Sequence, residues 1–141
     1  MITENKLKHI LAVARLMKEK AGLVGLDEEE MFNLGMVHDI GYEFDEQDHH
    51  TAGYKILKKQ GYKYAYEVKY HGLPRAPHQT PALSLLNYAD MHINAKGEYV
   101  TFEDRLEDIK SRRGENSPHY INSKKVIEQL DGFINDNENR I

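Results

Sequence analysis

Residues 7–21, Leu7-Lys8-His9-Ile10-Leu11-Ala12-Val13-Ala14-Arg15-Leu16-Met17-Lys18-Glu19-Lys20-Ala21, decide the fold class. Ile10, Ala14, Met17 and Ala21 recur at steps of four, three and four, which an α-helix sets on one face. Thr3 suits the N-cap of that helix and Gly22 its stop. The same period continues along the chain. Asp27 followed by Glu30 forms a capping-box-like pair and opens a second helix through Met31, Leu34 and His38, stopping near Gly41. A third begins near Asp48, carries Ala52, Ile56 and Leu57, and ends before Gly61; a fourth covers 62–71 and is closed by Gly72. Leu73 to Gln79 is a loop held by Pro74 and Pro77. Thr80-Pro81 then restarts a helix in the favoured cap-then-proline order, through Leu83, Leu86, Asp90 and Ile93, with Gly97 at or just past its end. Thr101 with Asp104 caps a helix bearing Phe102, Leu106 and Ile109 up to Gly114, and Ser117-Pro118 opens the last, through Ile121, Val126, Leu130 and Phe133. No repeat and no alternating strand interrupts this pattern. The expectation is an all-α, single-domain bundle of six or seven helices over residues 1–134, with a frayed polar tail at 135–141.

Composition narrows the function. The 141 residues make one domain, 40% hydrophobic and 30% charged. With 19 Lys+Arg against 23 Asp+Glu the net charge is −4, which argues against a partner such as long nucleic acid that needs a broad basic field. A small phosphorylated ligand needs only two or three local cations and stays open. The absence of Cys removes disulfides, thiolate metal sites and cysteine nucleophiles. Apolar runs are too short to span a membrane, and Met1-Ile2-Thr3-Glu4 lacks the plan of a signal peptide, so a cytoplasmic domain, possible as a homodimer, is expected. Eight His beside no Cys is the figure that stands out.

His38-Asp39 falls at the end of the second helix. Adjacent helical residues point about 100° apart, so the pair reaches one centre only from near a helix end or across a wide cleft. Imidazole with carboxylate suits a divalent transition metal: Mn, Fe, Co, Ni or Zn. His9 shares a face with Val13 and Leu16, and Asp90 follows Leu83 and Leu86, so both sit on apolar stripes. A carboxylate there is costly unless paired or bound to a cation. Taken singly, His9 reads as a satisfied core histidine and Asp90 as a buried ion-pair partner; taken with His38-Asp39, metal binding is the better reading. His49, four before Gly53, and His71, on the face of Tyr64 and Val68, extend the set toward a second ion with Asp39 bridging. His50 competes with His49 for that role. His78, His92 and His119 show no such pattern.

In order along the chain, His9, Val37-His38-Asp39-Ile40-Gly41, His49-His50-Thr51-Ala52-Gly53, Tyr70-His71-Gly72 and Ala89-Asp90-Met91 resemble the HD-domain superfamily of metal-dependent phosphohydrolases. The resemblance implies a helical bundle around the site, with His9, His38, Asp39 and Asp90 holding a first ion. His49 and His71 match the extra histidines of two-metal members such as the bacterial diadenosine-tetraphosphate hydrolases. It also implies a phosphate-contacting arginine soon after the Tyr-His step, a place Arg75 fills. The same ligand pattern occurs in a few mixed-valent di-iron oxygenases of the superfamily, and a non-catalytic nucleotide-binding module is a further alternative.

The expected chemistry is hydrolysis of a nucleotide or other small phosphate ester by a metal-activated hydroxide, with one or two ions present. Asp39 is the expected catalytic residue, as ligand, bridge and proton acceptor. Arg75 and Lys55 are the local candidates for substrate phosphate, although a solvated surface role competes for both. Arg112 and Arg113 read equally well as cations at a helix C-terminus. The tyrosines at 62, 64, 66 and 70 read mainly as packing, and the acidic runs Glu28-Glu29-Glu30 and Asp45-Glu46-Gln47-Asp48 as caps and solvated surface.

Overall fold

In a computed structural model that describes residues 2–137, the Thr3 hydroxyl accepts the Lys6 amide hydrogen and starts α1 (Glu4–Ala21). A single 3-10 turn, Gly22–Val24, leads to α2 (Glu28–Val37), whose Asp27 cap accepts from the Glu30 amide. The pair is not a reciprocal capping box, because the Glu30 carboxylate turns away to Lys63 and Tyr64. A second 3-10 turn, Ile40–Glu43, precedes α3 (His49–Lys59), which is capped by Asp48. The fourth helix is shorter than its apolar pattern predicts: α4 spans only Ala65–Tyr70, since Tyr62 to Tyr64 are spent turning the chain after Gly61. Thr80 caps α5 (Pro81–Met91), which ends before Ile93, where an isolated bridge to Tyr99 takes over. Thr101 caps α6 (Phe102–Arg113), and α7 runs Pro118–Asn137, into the stretch expected to fray; residues 138–141 lie outside the described residues.

The result is an all-helical bundle of seven α-helices among the described residues. None of them is long and apolar enough to cross a membrane. α5 is the centre. Leu83, Leu85, Leu86, Ala89, Asp90 and Met91 are all buried, so this helix is enclosed on nearly every side rather than amphipathic. α1 packs against it with Val13 and Met17 in the shared core, and α2 closes on α1 where Gly35 meets Ala14. A Cβ at Gly35 would stand 2.8 Å from Ala14 N and 2.9 Å from its Cβ, so only glycine permits this approach. That crossing sets the C-terminal end of α2 beside His9.

The α6–α7 hairpin covers the remaining flank. On α6 the fully buried face is Arg105 with Ile109, while Leu106, expected in the stripe, is only half-buried. Val126 and Leu130 of α7 complete the core.

Candidate metal centre

α2 stops at Val37, and this solves the 100° problem at His38-Asp39. His38 keeps helical backbone angles, but Asp39 leaves them (φ −108°, ψ 17°), and its carboxylate swings back toward the preceding imidazole. His38 is 0% exposed and forms the floor of the site.

Three imidazoles share one construction. His9 Nδ1 donates to the Asn94 carbonyl at 3.0 Å, His38 Nδ1 to Gly35 at 2.6 Å, and His71 Nδ1 to Val68 at 2.6 Å. A backbone carbonyl only accepts, so each Nδ1 carries its proton and each Nε2 points inward, with a lone pair there whenever the ring is neutral. Those three Nε2 atoms face carboxylate oxygens. His9 Nε2 lies 2.8 Å from Asp90 Oδ1, and His71 Nε2 3.1 Å from Asp39 Oδ1. His38 Nε2 is 3.2 Å from Asp39 Oδ2 and 3.6 Å from Asp90 Oδ1, near both yet aligned for a hydrogen bond with neither. Lone pairs facing anionic oxygens repel unless a proton or a metal cation lies between them.

Asp39 divides the cluster. Its Oδ2 faces His38 and, at 3.8 Å, His9; its Oδ1 faces His71 and, at 3.8 Å, His49. The donor atoms of His9, His38 and Asp39 lie within 4.8 Å of one another, as do those of His38, His71 and Asp90, and those of His49, His50 and His71. Donors on opposite sides of one ion, at bonds of ~2.0–2.2 Å, stand about 4.0–4.4 Å apart, so small movements close each group on a metal. His50 Nε2 donates to the His71 carbonyl at 2.8 Å, which leaves only its Nδ1 as a lone-pair donor. His49 stacks on Tyr42, 3.9 Å between ring centres, and keeps Nε2 toward Asp39.

The electrostatics ask for a cation. Burial alone would drive His38 toward the neutral form, yet Asp39 and Asp90 raise it to about 10. Burial disfavours both carboxylates, but the imidazoles hold Asp39 and Asp90 well below the usual range. His49, buried and beside His71 and His50, is pushed down to about 2, and His50 to about 4, so both rings stay neutral, as ligands must.

The centre opens into a cavity of about 310 Å³. Six predicted residues meet here: His9, Asp39, His49, His71 and Asp90 on its wall, with His38 behind them. Arg75 and Lys55 do not join them. Both stand exposed outside the lining: Lys55 projects from the outer side of α3, and the Pro74 carbonyl is tied to Gln129 of α7, which holds the loop on another flank. The Lys and Arg residues that line the cavity are Lys6, Arg105 and Arg113. Lys6 Nζ is 3.3 Å from Asp39 Oδ2 and 4.1 Å above the Tyr42 ring, and Arg105 Nε donates to the Asp90 carbonyl at 3.2 Å. Lys6 was detectable, three residues before His9 on the same face; Arg105 was detectable as a charge one turn before buried Ile109. His119, which no pattern marked, also lines the wall, and the tyrosine there is Tyr42 rather than any of 62, 64, 66 or 70.

No curated protein and no solved structure matches the chain. A family model does, the one described as HD domain, over residues 7–132. That span takes in α1 to the core of α7 and all the converging histidines and aspartates, so sequence and site agree that this chain is a member of the HD-domain family.

Proposed function

We propose that this protein is a metal-dependent phosphohydrolase acting on a small phosphorylated substrate of the nucleotide class. HD domains are mostly metal-dependent hydrolases, and buried His/Asp groups positioned for a divalent metal are present here. The observation that carries the reading is the set of inward Nε2 lone pairs of His9, His38 and His71 against Asp39 and Asp90, an arrangement that a cation satisfies. His9, His38, Asp39 and Asp90 are the proposed holders of a first ion. His49 and His71 are the proposed holders of a second, with one oxygen of Asp39 turned to each.

When bound, ions of this kind supply Lewis-acid activation of water and of a phosphate oxygen. The chain's own residues do the rest. Lys6, Arg105 and Arg113 offset the three carboxylates on the cavity wall, Asp39, Glu46 and Asp90, so the cavity becomes net positive once any divalent cation is present and attracts an anionic substrate. Lys6 stands where negative charge on a phosphoryl oxygen is stabilised. Burial, with Asp39 and Asp90 nearby, pushes the Tyr42 hydroxyl up, so it keeps its proton and serves as a donor. Asp39 stays ionised, and with Oδ2 facing His38 and Oδ1 facing His71 it would help hold both ions. The cavity lies at the lower end of the ~300–1,000 Å³ range of small-molecule sites.

The test is reconstitution with Mn, Fe, Co, Ni or Zn, followed by release of phosphate from a panel of nucleotides and phosphate esters. Turnover that depends on metal and disappears in Asp39→Ala supports the proposal. Dioxygen consumption by the iron form without phosphate release would replace it with an oxygenase.

A further inference from the structure

We propose that the wall formed by α6 and α7 is a subsite for a second, non-scissile phosphoryl group, so that the preferred substrate is a diphosphate or phosphoanhydride rather than a simple monoester. This rests on the phosphohydrolase reading of the metal centre and adds to it a substrate class. Arg105 and Ser123 line the cavity, 5% and 1% exposed. Arg105 Nη1 and Ser123 Oγ are both shut from solvent with no hydrogen-bond partner among the described residues. Asp108 does not satisfy Arg105, since its Oδ2 is 3.6 Å from Nη1 and its carboxylate hydrogen-bonds Arg112 instead. Unmet buried donors of this kind are rare in folded proteins and mark places where a partner belongs.

The surrounding groups specify that partner. His119, Asn122 and Ser123 stand at i, i+3 and i+4 on α7, and all three reach the cavity. Arg113 adds a second guanidinium from the end of α6. Burial, then the charges of Arg113 and Arg105, push His119 down to about 4, so this imidazole is neutral and available for hydrogen bonding. Two guanidinium groups with hydroxyl, amide and imidazole partners match a tetrahedral oxyanion. The group at the metal centre is served separately by Lys6 on the Asp39 side. Arg105 joins the two, because its Nε holds the Asp90 carbonyl while Nη1 makes no hydrogen bond.

The experiment is calorimetric titration of the metal-loaded full chain with inorganic phosphate and with methylenediphosphonate, which carries two phosphoryl groups and resists hydrolysis. The expected result is at least tenfold tighter binding of the diphosphonate. Ser123→Ala should weaken the diphosphonate by roughly ten- to a hundredfold, the range of a charge-assisted hydrogen bond, while phosphate affinity and metal content stay as in the parent chain, and Arg113→Gln should weaken the diphosphonate by at least as much. Equal affinity for the two probes, or variants that bind the diphosphonate unchanged, overturns the proposal. The readout needs no turnover. A chain that hydrolyses phosphate esters without this preference loses the subsite alone; one that shows the preference without hydrolysing anything loses the enzymatic reading alone.

Discussion

Gly41→Ala tests whether the second half of the site depends on one close backbone approach. A Cβ at Gly41 falls 2.6 Å from the His49 carbonyl carbon and 2.8 Å from its Cα, and closer still to the carbonyl oxygen. These are backbone atoms in the first turn of α3, so no side-chain rotation relieves them. Ordinary contact begins near 3.4 Å, and the carbonyl oxygen is the tightest neighbour, so the start of α3 must retreat by more than about 1 Å from Gly41. Overpacking of this kind costs ~1–3 kcal/mol. For a domain of this size that is a fall of roughly 4–12 °C in Tm. His49 Nε2 begins 3.8 Å from Asp39 Oδ1, so the shift would carry it out of reach of an ion that Asp39 and His71 would hold. Thermal melting by circular dichroism and elemental analysis read the two effects. The expected variant is helical, less stable and poorer in its second equivalent of metal. A Tm within about a degree of the parent, with unchanged metal content, refutes the reasoning.

Three further outcomes follow from the site. Asp39→Ala should abolish turnover and lower metal content while far-ultraviolet circular dichroism stays helical; turnover at full metal occupancy contradicts the bridging role. Arg75→Lys should leave KM unchanged, because Arg75 is exposed outside the cavity, whereas Arg113→Gln should raise KM by the equivalent of ~1.5–3 kcal/mol; steady-state kinetics with any accepted substrate separates them. His119→Gln should reduce acid sensitivity: with the folded value near 4 and the unfolded value near 6.5, the unfolded chain takes up a proton in that window that the folded one refuses, and stability falls as pH drops through it. Urea midpoints at pH 7 and pH 5 should differ less in the variant than in the parent, and equal differences count against the assignment.

The histidine and aspartate half of the site was legible because each of its residues sits on the inward face of a local helix or at a helix end. His9 and Asp90 sit on apolar stripes, and His38-Asp39 and His71 fall at helix ends that capping and glycine signals locate. Period and capping are local properties, so they also yield the helices themselves, apart from the shortened α4 and the early end of α5. The rest of the cavity wall was not legible. Arg75 is near His71 in sequence, but its loop is tied to Gln129 at the Pro74 carbonyl and to Tyr66 at the His78 carbonyl, and Arg75 lies outside the cavity. Arg113 and His119 reach the cavity only because the α6–α7 hairpin folds back over it, and no local pattern encodes that long-range packing. Arg105 left a trace, a charge on a buried helical face, yet its partner, the Asp90 carbonyl, lies fifteen residues away.

The central claim, that a divalent ion is held by His9, His38, Asp39 and Asp90, is tested most directly by anomalous diffraction from crystals of the Mn-loaded full chain. An anomalous peak is expected between the Nε2 atoms of His9 and His38 and the carboxylates of Asp39 and Asp90, at bond lengths of ~2.0–2.2 Å. A second peak, weaker in His71→Ala, should lie on the Oδ1 side of Asp39 toward His49 and His71. Crystals that show no peak among these side chains, with His38 Nε2 still facing Asp39 and Asp90, contradict it.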